Sequence, residues 1–239
     1  MMSPDTFASR LIVLTGVGRP GQVGESVARA FFERGASCIL LDRDPAVHDR
    51  ATALAGDTRR VHGEVCDLSD AESVAAVARR ISVDHPEGVH GLVNLAGGFA
   101  VSGPLDKADV AVLHQQLGIS LVTAWCTTRA FLPLLRTARG SVVFFGAAAV
   151  LPGGNVKELS AYAASKAGVL AVMQSVAQEE RDSGVRANAV APTAVRTAAN
   201  TAALGDGVRY VERDAVADVV CWLCSDDSRA ISGQVIRLG

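Results

Sequence analysis

The sequence predicts an α/β protein built on a parallel sheet that helices cover on both faces. Short apolar segments rich in Val, Ile and Leu alternate with helical segments along the whole chain, as in strand–helix–strand units with right-handed crossovers. Hydrophobic residues make up 49% of the chain but aromatic residues only 5%, which suits helices packed closely on a buried sheet. The 239 residues contain no linker, repeat or low-complexity segment, so one domain over 1–239 is expected.

The strands are predicted from short β-branched and aliphatic runs that end in glycine or polar residues. In chain order they lie at 10–16, 37–42, 59–65, 89–98, 140–146, 185–192 and 233–239. Helical periodicity lies between them, at 25–35, 69–81, 109–136, 159–181 and 213–224. The first helix ends at Gly35, and Ser69 is the predicted N-cap of the second, with Glu72 completing a capping box. Ligands of such sheets bind beyond the carboxyl ends of the strands, so the residues there are the candidates for chemistry.

Composition argues against several kinds of partner. The net charge is −2 and the arginines are scattered, which argues against nucleic acid. The first ten residues lack the apolar core of a secretory signal, and no apolar run is expected to approach membrane-spanning length. We therefore expect a cytoplasmic protein with no membrane contact.

The cysteines predict neither disulfides nor a metal site. Five widely spaced cysteines do not form a disulfide framework. Cys221 and Cys224 form a CxxC on an apolar helical stretch, with no second pair and no nearby histidine. Buried core thiols are therefore favoured over a zinc or redox motif.

The first strand runs into a glycine-rich loop, TGVGRPGQVGES. Glycines let backbone amides approach a pyrophosphate, and the N-terminus of the following helix favours its negative charge. The position between a strand and a helix therefore indicates a dinucleotide site. The glycines of this candidate site are Gly16, Gly18, Gly21 and Gly24.

The second strand ends at Asp42. A carboxylate here can accept hydrogen bonds from a ribose diol and would repel a 2′-phosphate, which favours NAD(H) over NADP(H). NADP(H) stays open because Arg19 or Arg43 could pair with a phosphate. The alternative role for Asp42 is that of a solvated turn residue.

The third and fourth strands lead into two further candidate segments. CDLSD places Asp67 and Leu68 where they could flank an adenine, and a simple helix cap is the alternative. NLAGG follows the fourth strand. There Asn94 could brace neighbouring strands, while Ala96 and Gly97 leave room for a cofactor.

Tyr162 and Lys166 lie four residues apart on a predicted helix, so they share a face. A phenol has an ordinary pKa of about 10, and a nearby ammonium is expected to lower the pKa of Tyr162. A tyrosine so tuned can exchange a proton with a substrate oxygen or nitrogen. An ordinary surface pair is the alternative, but the position after the fifth strand favours a catalytic one.

These motifs occur in order and at suitable intervals, and together the chain resembles the short-chain dehydrogenase/reductase (SDR) family over essentially its full length. The matching segments are TGVGRPGQVG, Asp42, CDLSD, NLAG, YAASK, VAPTAVRT and SGQVIRLG. The resemblance implies a Rossmann-type, doubly wound fold with seven parallel strands. It also implies an NAD(P)(H)-dependent oxidoreductase that acts on a small molecule, as a homodimer or homotetramer built through helices 109–136 and 159–181.

The resemblance further implies roles for individual residues. Tyr162 is expected to donate or accept the proton, and Lys166 also to bind the nicotinamide ribose. Val195 and Thr197 are expected to hold the carboxamide. Two further cofactor contacts implied by the resemblance are Val23 and Pro192.

The chain departs from the family pattern at several positions. The glycine loop is two residues longer, with Gln22 where the middle glycine usually stands. The catalytic Asn of the family falls on Ser120, which could anchor a water, and the catalytic Ser falls on Ala147. Loss of one such oxyanion donor typically costs about 10²–10³ in rate. The segment after position 147 looks two residues long, so Asn155 is a candidate, beside Gly98 and Ala147, for lining the substrate.

One branch of the family fits these departures. Dihydropteridine reductase is similar in preferring NADH, in a glycine pair after the fourth strand (here AGGF), in lacking both Ser and Asn, and in a short lid, here about 197–210. The resemblance favours an activated C=N or quinone-like acceptor over an ordinary ketone.

A function of another class competes with this one, namely a non-catalytic dinucleotide-binding protein such as a sensor or a partner subunit. The loss of Ser and Asn favours that alternative. Retention of both Tyr162 and Lys166 favours the enzyme.

Overall fold

The computed structural model describes residues 3, 5–56 and 58–239. At its centre lies a seven-stranded sheet in which every neighbouring pair is parallel, in the order β3-β2-β1-β4-β5-β6-β9. The strands in chain order are β1 (Leu11–Thr15), β2 (Ser37–Asp42), β3 (Val61–Val65), β4 (Gly91–Asn94), β5 (Ser141–Phe145), β6 (Arg186–Pro192), β7 (Ala194–Val195), β8 (Tyr210–Val211) and β9 (Val235–Leu238). The predicted Rossmann-type fold with seven parallel strands is confirmed.

Helices cover both faces of this sheet. In chain order they are α1 (Val23–Glu33), α2 (Val47–Ala55), α3 (Ala71–Asp84), α4 (Val110–Gln116), α5 (Thr123–Ala138), α6 (Ser160–Glu179), α7 (Ala198–Leu204) and α8 (Arg213–Cys224). The sequence did not predict α2 or α7, which are short and have weak apolar periodicity.

The predicted N-cap of α3 is wrong by one residue. Asp70 is the N-cap, and its carboxylate accepts a hydrogen bond from the Glu72 backbone N–H at 3.0 Å. Ser69 instead donates its hydroxyl hydrogen to Asp67 Oδ1 at 2.6 Å. Asp and Ser cap helices about equally well, so residue type alone could not separate the two positions.

Alternate residues of the central strands lie in two separate apolar cores, one on each face of the sheet. In β1, Ile12 and Leu14 lie in the core beneath α1, α2 and α8. Leu11 and Val13 lie in the core beneath α3, α5 and α6. Burial of one such side chain stabilises the fold by about 1.5–3 kcal/mol. The strands therefore read as continuous apolar runs, as expected of a sheet buried on both faces.

The predicted helix over 109–136 forms three consecutive pieces. A π-helical segment, Leu117–Val122, lies between α4 and α5. Against expectation, the combined run Val110–Ala138 is long and apolar enough to cross a membrane by length and composition alone. It packs against α3, α6 and the sheet, so its apolarity is accounted for by the fold.

The CxxC of α8 consists of core thiols, as predicted. Cys221 and Cys224 are both buried and free. Burial raises the pKa of Cys224 to about 12 and also raises the pKa of Cys221, so both thiols stay protonated. Within the described residues, no group of three or more His, Cys, Asp or Glu side chains could hold a metal ion.

The strand order reverses between β1 and β4. At such a switch point the connections on either side leave in opposite directions, and a crevice opens beyond the carboxyl ends of the two strands. The glycine loop follows β1, and NLAGG follows β4. The two segments therefore meet at the place where this fold binds ligands.

Candidate functional site

The glycine loop lies tightly against the segment that follows β4. Gly16 has a positive φ of 74°. A Cβ on Gly16 would lie 2.8 Å from the backbone N and Cα of Ala96. Only glycine fits here, and its absence of a side chain brings the two segments of the crevice into contact.

Asp42 faces the same loop. Its Oδ2 accepts a hydrogen bond from the Gly18 N–H at 2.8 Å, and its Oδ1 accepts one from the Asp44 N–H at 3.0 Å. A Cβ on Gly18 would lie 2.8 Å from the Asp42 carboxyl carbon. Gly18 thus lets the backbone approach the Asp42 carboxylate, and each carboxylate oxygen keeps a lone pair that could accept a hydrogen bond from a ribose hydroxyl. Arg19 and Arg43 are exposed beside Asp42.

The first turn of α1 fits a phosphate group. Helix α1 begins at Val23, and its N-cap residue Gln22 makes no side-chain cap hydrogen bond. A Cβ on Gly24 would lie 2.9 Å from the Gly16 carbonyl oxygen, so the glycine draws the helix onto the loop. A helix N-terminus of this kind favours an anion.

Two charged residues near this loop were missed by sequence reasoning. Glu25 Oε2 accepts a hydrogen bond from the Gly21 N–H at 2.7 Å. Arg213, at the start of α8, brings its Nη1 to within 3.8 Å of the position that a Cβ on Gly21 would occupy. Only the tertiary fold brings Arg213 to the loop, so no local sequence signal could have found it.

In the CDLSD segment Asp70 caps α3, and Asp67 forms a turn with Ser69 just before the helix. Asp67 is exposed, and its Oδ1 accepts from the Ser69 N–H at 2.9 Å and from the Ser69 hydroxyl. These bonds, chiefly that from the hydroxyl, lower the pKa of Asp67. Leu68 is buried at 6% exposure.

Asn94 braces a helix rather than a neighbouring strand. Its side chain is buried, and Nδ2 donates to Thr128 Oγ1 on α5 at 2.9 Å. The brace between strands comes from Thr15 of β1. Thr15 Oγ1 accepts from the Leu95 N–H at 3.0 Å and the Ala96 N–H at 3.1 Å, and sequence reasoning had not singled it out.

Lys166, Ser120 and Gly97 lie close together. Lys166 is 7% exposed, and its Nζ donates to the Phe145 carbonyl oxygen at the end of β5 at 2.8 Å. Ser120 lies in the π-helical segment, and among the described residues its buried Oγ has no hydrogen-bond partner. A Cβ on Gly97 would lie 3.2 Å from Ser120 Oγ and 3.4 Å from Lys166 Nζ. Even one methyl group at position 97 would be crowded, so the glycine lets the hydroxyl and the ammonium approach the backbone after β4.

Tyr162 precedes Lys166 by one turn of α6 and is half-buried. Its ring contacts the Phe99 ring edge to face, with centroids 5.1 Å apart. Burial raises the pKa of Tyr162 to about 12, so the expected lowering of the Tyr162 pKa is wrong for this cofactor-free structure. The physical reason is that burial disfavours the phenolate, while the Lys166 ammonium is bound to a carbonyl oxygen.

Burial lowers the pKa of Lys166 from its ordinary 10.5 to about 8. Between these values the unfolded chain binds more protons than the folded one, so the free energy of unfolding should rise with pH. Between pH 8 and 10.5, the free energy of unfolding of the wild type should rise by on the order of 3 kcal/mol relative to that of Lys166→Met. Thermal melts of both cofactor-free proteins at pH 7 to 10.5 would measure it.

The comparison with Lys166→Met also removes a competing effect. The raised pKa of Tyr162 destabilises the fold above pH 10, but this contribution is common to both proteins and cancels in the difference. Melting temperatures that run parallel from pH 7 to 10.5 would contradict the buried-ammonium interpretation.

The residues predicted to line the substrate differ in their burial. Ala147 is buried directly after β5. A Cβ on Gly98 would lie 2.8 Å from Ile119 Cδ1. Asn155 is exposed, and its Oδ1 accepts from the Lys157 N–H at 3.0 Å. The structure therefore uses the Asn155 carboxamide oxygen within its own turn.

The segment after β6, where the substrate lid was predicted, contains the short strands β7 and β8 and the helix α7. Pro192 ends β6, and the ribbon of β7 and β8 pairs Val195 with Val211. Thr197 is buried and caps α7, its Oγ1 accepting from the Asn200 N–H at 3.1 Å. Of the lid predicted at about 197–210, Ala198–Leu204 is thus helical.

Comparison with known proteins agrees with this geometry. Residues 16–238 match a family model described as enoyl-(acyl carrier protein) reductase. The chain is 34% identical over 179 residues to Oxidoreductase UcpA of Escherichia coli strain K12, covering 73% of this chain and 66% of UcpA. It is 29% identical over 245 residues to the cis-4-hydroxycyclohexanecarboxylate dehydrogenase of Sinomonas cyclohexanicum, covering 98% and 96% of the two chains.

Solved structures show the same likeness. A crystal structure described as a short chain dehydrogenase of Escherichia coli CFT073, complexed with NADPH, aligns with a TM-score of 0.89. Its sequence is 27% identical, and the alignment covers 99% of both chains. The fold of this neighbour matches the fold described above.

Proposed function

The chain belongs to the short-chain dehydrogenase/reductase family of oxidoreductases, and on that premise we propose that it transfers hydride between NAD(H) and a small carbonyl, imine or quinone-like substrate. The observation that carries the proposal is the placement of Lys166 and Ser120 beside Gly97, just after β4, with Tyr162 one turn before Lys166 on α6. A nicotinamide bound in the crevice would supply or accept the hydride.

Tyr162 is proposed as the proton donor or acceptor. Its raised pKa keeps the hydroxyl protonated at neutral pH, which is the form that donates to a substrate oxygen or nitrogen during reduction. Its ring packs edge to face on Phe99, which follows β4, and this contact with the segment beyond a strand end supports the assignment.

We propose that Lys166 and Ser120 assist the proton transfer by Tyr162. The buried Lys166 Nζ is positioned by the Phe145 carbonyl and is one turn from Tyr162, where it can also bind a ribose hydroxyl. Ser120 Oγ lies near Lys166 Nζ at Gly97 and has no partner among the described residues, and we propose that it anchors a water in the proton path. Buried polar groups of this kind ordinarily have partners.

The residue after β5 points to the kind of acceptor. Ala147 offers a methyl group where a serine would donate a hydrogen bond to the substrate oxygen. An activated C=N or a quinone needs little polarisation, whereas a simple ketone needs more. We therefore propose an activated acceptor, in keeping with the resemblance to dihydropteridine reductase. One relative is named cis-4-hydroxycyclohexanecarboxylate dehydrogenase, and this name keeps exchange between an alcohol and a carbonyl within the proposal.

The test is NADH oxidation by the purified protein with a quinonoid dihydropterin, a quinone and a panel of simple ketones. Turnover of the activated acceptors and not of the ketones is expected. Turnover of ketones would mean that another donor replaces the missing serine. Bound NADH with no turnover of any acceptor would favour the non-catalytic binder, although relatives named as dehydrogenases and oxidoreductases favour the enzyme.

A preference for NAD(H) is proposed from Asp42. Asp42→Ala removes the carboxylate that would repel a 2′-phosphate, so the ratio of kcat/KM for NADH to that for NADPH should fall by about tenfold, equivalent to 1.4 kcal/mol. Asp44→Ala is the matched control, because it removes an equal charge two residues away and is exposed. An unchanged ratio in Asp42→Ala would instead assign cofactor choice to Arg19 or Arg43.

An oligomer is proposed from the outer face of α5 and the π-helical segment. Trp125 is 57% exposed and Val122 is 38% exposed. Large apolar side chains on a long helix are typical of a covered surface. We propose a homodimer or homotetramer built through α5 and α6. Sedimentation equilibrium would measure which of the two forms. The cytoplasmic location remains a prediction.

A further inference from the structure

The side of the crevice beside Tyr162 exposes an unusual amount of apolar surface. Phe99, in the segment that follows β4, is 59% exposed although its ring contacts Tyr162. Val101, two residues further on, is also 59% exposed. Large apolar side chains that stay exposed next to a reactive group are typical of a binding surface.

A second segment extends this surface. Val156, in the connection from β5 to α6, is 44% exposed. The backbone N–H groups of Ser102 and Gly103 both donate to the Glu158 carbonyl oxygen, at 2.9 and 3.1 Å. These bonds hold the two segments side by side at the start of α6. We call Phe99, Val101 and Val156 the apolar wall.

The hydroxyls beside the apolar wall contact groups of the chain itself. Ser102 Oγ lies 3.1 Å from the Glu158 carbonyl oxygen and 3.1 Å from Ser160 Oγ. Tyr162, whose ring contacts Phe99, is the candidate proton donor next to this surface. The contact surface that Phe99 offers beside that donor is therefore a flat apolar one.

We propose that the substrate carries its reacting carbonyl or imine in, or directly on, an uncharged planar ring, and that this ring packs on Phe99. The proposal rests on the proposed function and specifies the substrate class of that same site. An aromatic side chain binds a flat ring by stacking or edge-to-face contact, so shape sets the orientation that a serine hydrogen bond would otherwise provide. The ring would also exclude water from the Tyr162 hydroxyl.

Phe99 is therefore a specificity-determining residue, and Phe99→Ala tests it. The two acceptors to compare are 2-methyl-1,4-naphthoquinone, which has the ring, and 2,3-butanedione, an activated carbonyl without one. We expect Phe99→Ala to lower kcat/KM for the naphthoquinone by about 10–30-fold through KM, the range for lost apolar contacts in a pocket. The values for butanedione and the Kd for NADH should stay nearly unchanged.

Two controls separate specificity from structure. Leu105→Ala removes a larger share of exposed surface, 77%, from the same connection but away from the Tyr162 contact, and should leave both acceptors unaffected. Phe99→Trp keeps an aromatic face and should retain the ring preference. Equal losses for both acceptors in Phe99→Ala, or no loss for the naphthoquinone, would overturn the proposal.

A binding measurement distinguishes this proposal from the proposed function. The fluorescence anisotropy of 1-naphthol with the NAD⁺-saturated protein reports the ring site without turnover. Binding to the wild type that weakens at least tenfold in Phe99→Ala supports the ring site, even if every acceptor fails and the hydride-transfer proposal is lost. Equal binding to both proteins overturns the ring site, even if turnover proceeds.

Discussion

Tyr162→Phe is expected to lower kcat/KM by about 10²–10⁴, the usual contribution of a positioned acid or base, while the Kd for NADH stays nearly unchanged. The substitution removes the hydroxyl and keeps the ring, so the edge-to-face contact with Phe99 persists. The bond from Lys166 to the Phe145 carbonyl does not involve Tyr162 and also persists. Steady-state turnover of an activated acceptor, beside a direct NADH titration, measures both quantities.

The other tyrosine of the chain supplies the matched control. The Tyr210 hydroxyl donates to the carbonyl oxygens of Gly205 and Asn200, at 2.7 and 3.2 Å, within the lid. Tyr210→Phe likewise removes a tyrosine hydroxyl, but one in the lid segment, and should leave kcat/KM nearly unchanged. Full activity of Tyr162→Phe would remove the proton-transfer role from this residue.

Gly16→Ala is expected to destabilise the fold strongly and to disrupt the candidate site. The positive φ of 74° penalises a Cβ by about 1–2 kcal/mol, and that Cβ would lie 2.8 Å from the Ala96 backbone. Backbone cannot move aside as a side chain can, so we expect a loss of about 3 kcal/mol or more. At about 2–4 °C per kcal/mol for a chain of this size, the melting temperature should fall by roughly 6–12 °C. NADH binding should fail with it.

Gly153→Ala isolates the strain from the clash. Gly153 has a similar φ of 80°, but a Cβ there would meet nothing within 4 Å. Its cost should be about 1 kcal/mol from backbone conformation alone, with NADH binding intact. Equal losses of melting temperature in the two variants would show that the close approach at Ala96 contributes nothing.

The strands were predictable because their sequences carry the evidence locally. The central strands β1, β2, β4 and β5 are short aliphatic runs that are largely buried. Two of them end at a polar residue, Asp42 and Asn94. The glycine loop and the Tyr162–Lys166 pair were predictable for the same reason. Spacing along one element fixes their relative placement.

The features that sequence reasoning missed depend on tertiary contacts. The π-helical segment around Ser120 has no local signature that separates it from an α-helix. Arg213 reaches the glycine loop from α8, and Phe99 meets Tyr162 from a different connection. The direction of the Tyr162 pKa was wrong because the sequence could not show that burial outweighs the neighbouring ammonium.

The two-sided burial of the sheet has a consequence for how its strands find their alignment. A one-residue slip of β1 would exchange Leu11 and Val13 with Ile12 and Leu14, and both cores would still receive aliphatic side chains. The apolar pattern specifies the register of a strand where a single face is buried, but it does little to specify the register of β1. Thr15 has no such substitute, because its hydroxyl must reach two backbone N–H groups beyond β4. The Thr15 hydroxyl therefore fixes the register of β1, which the apolar pattern leaves open, at the same edge of the sheet that carries the candidate site.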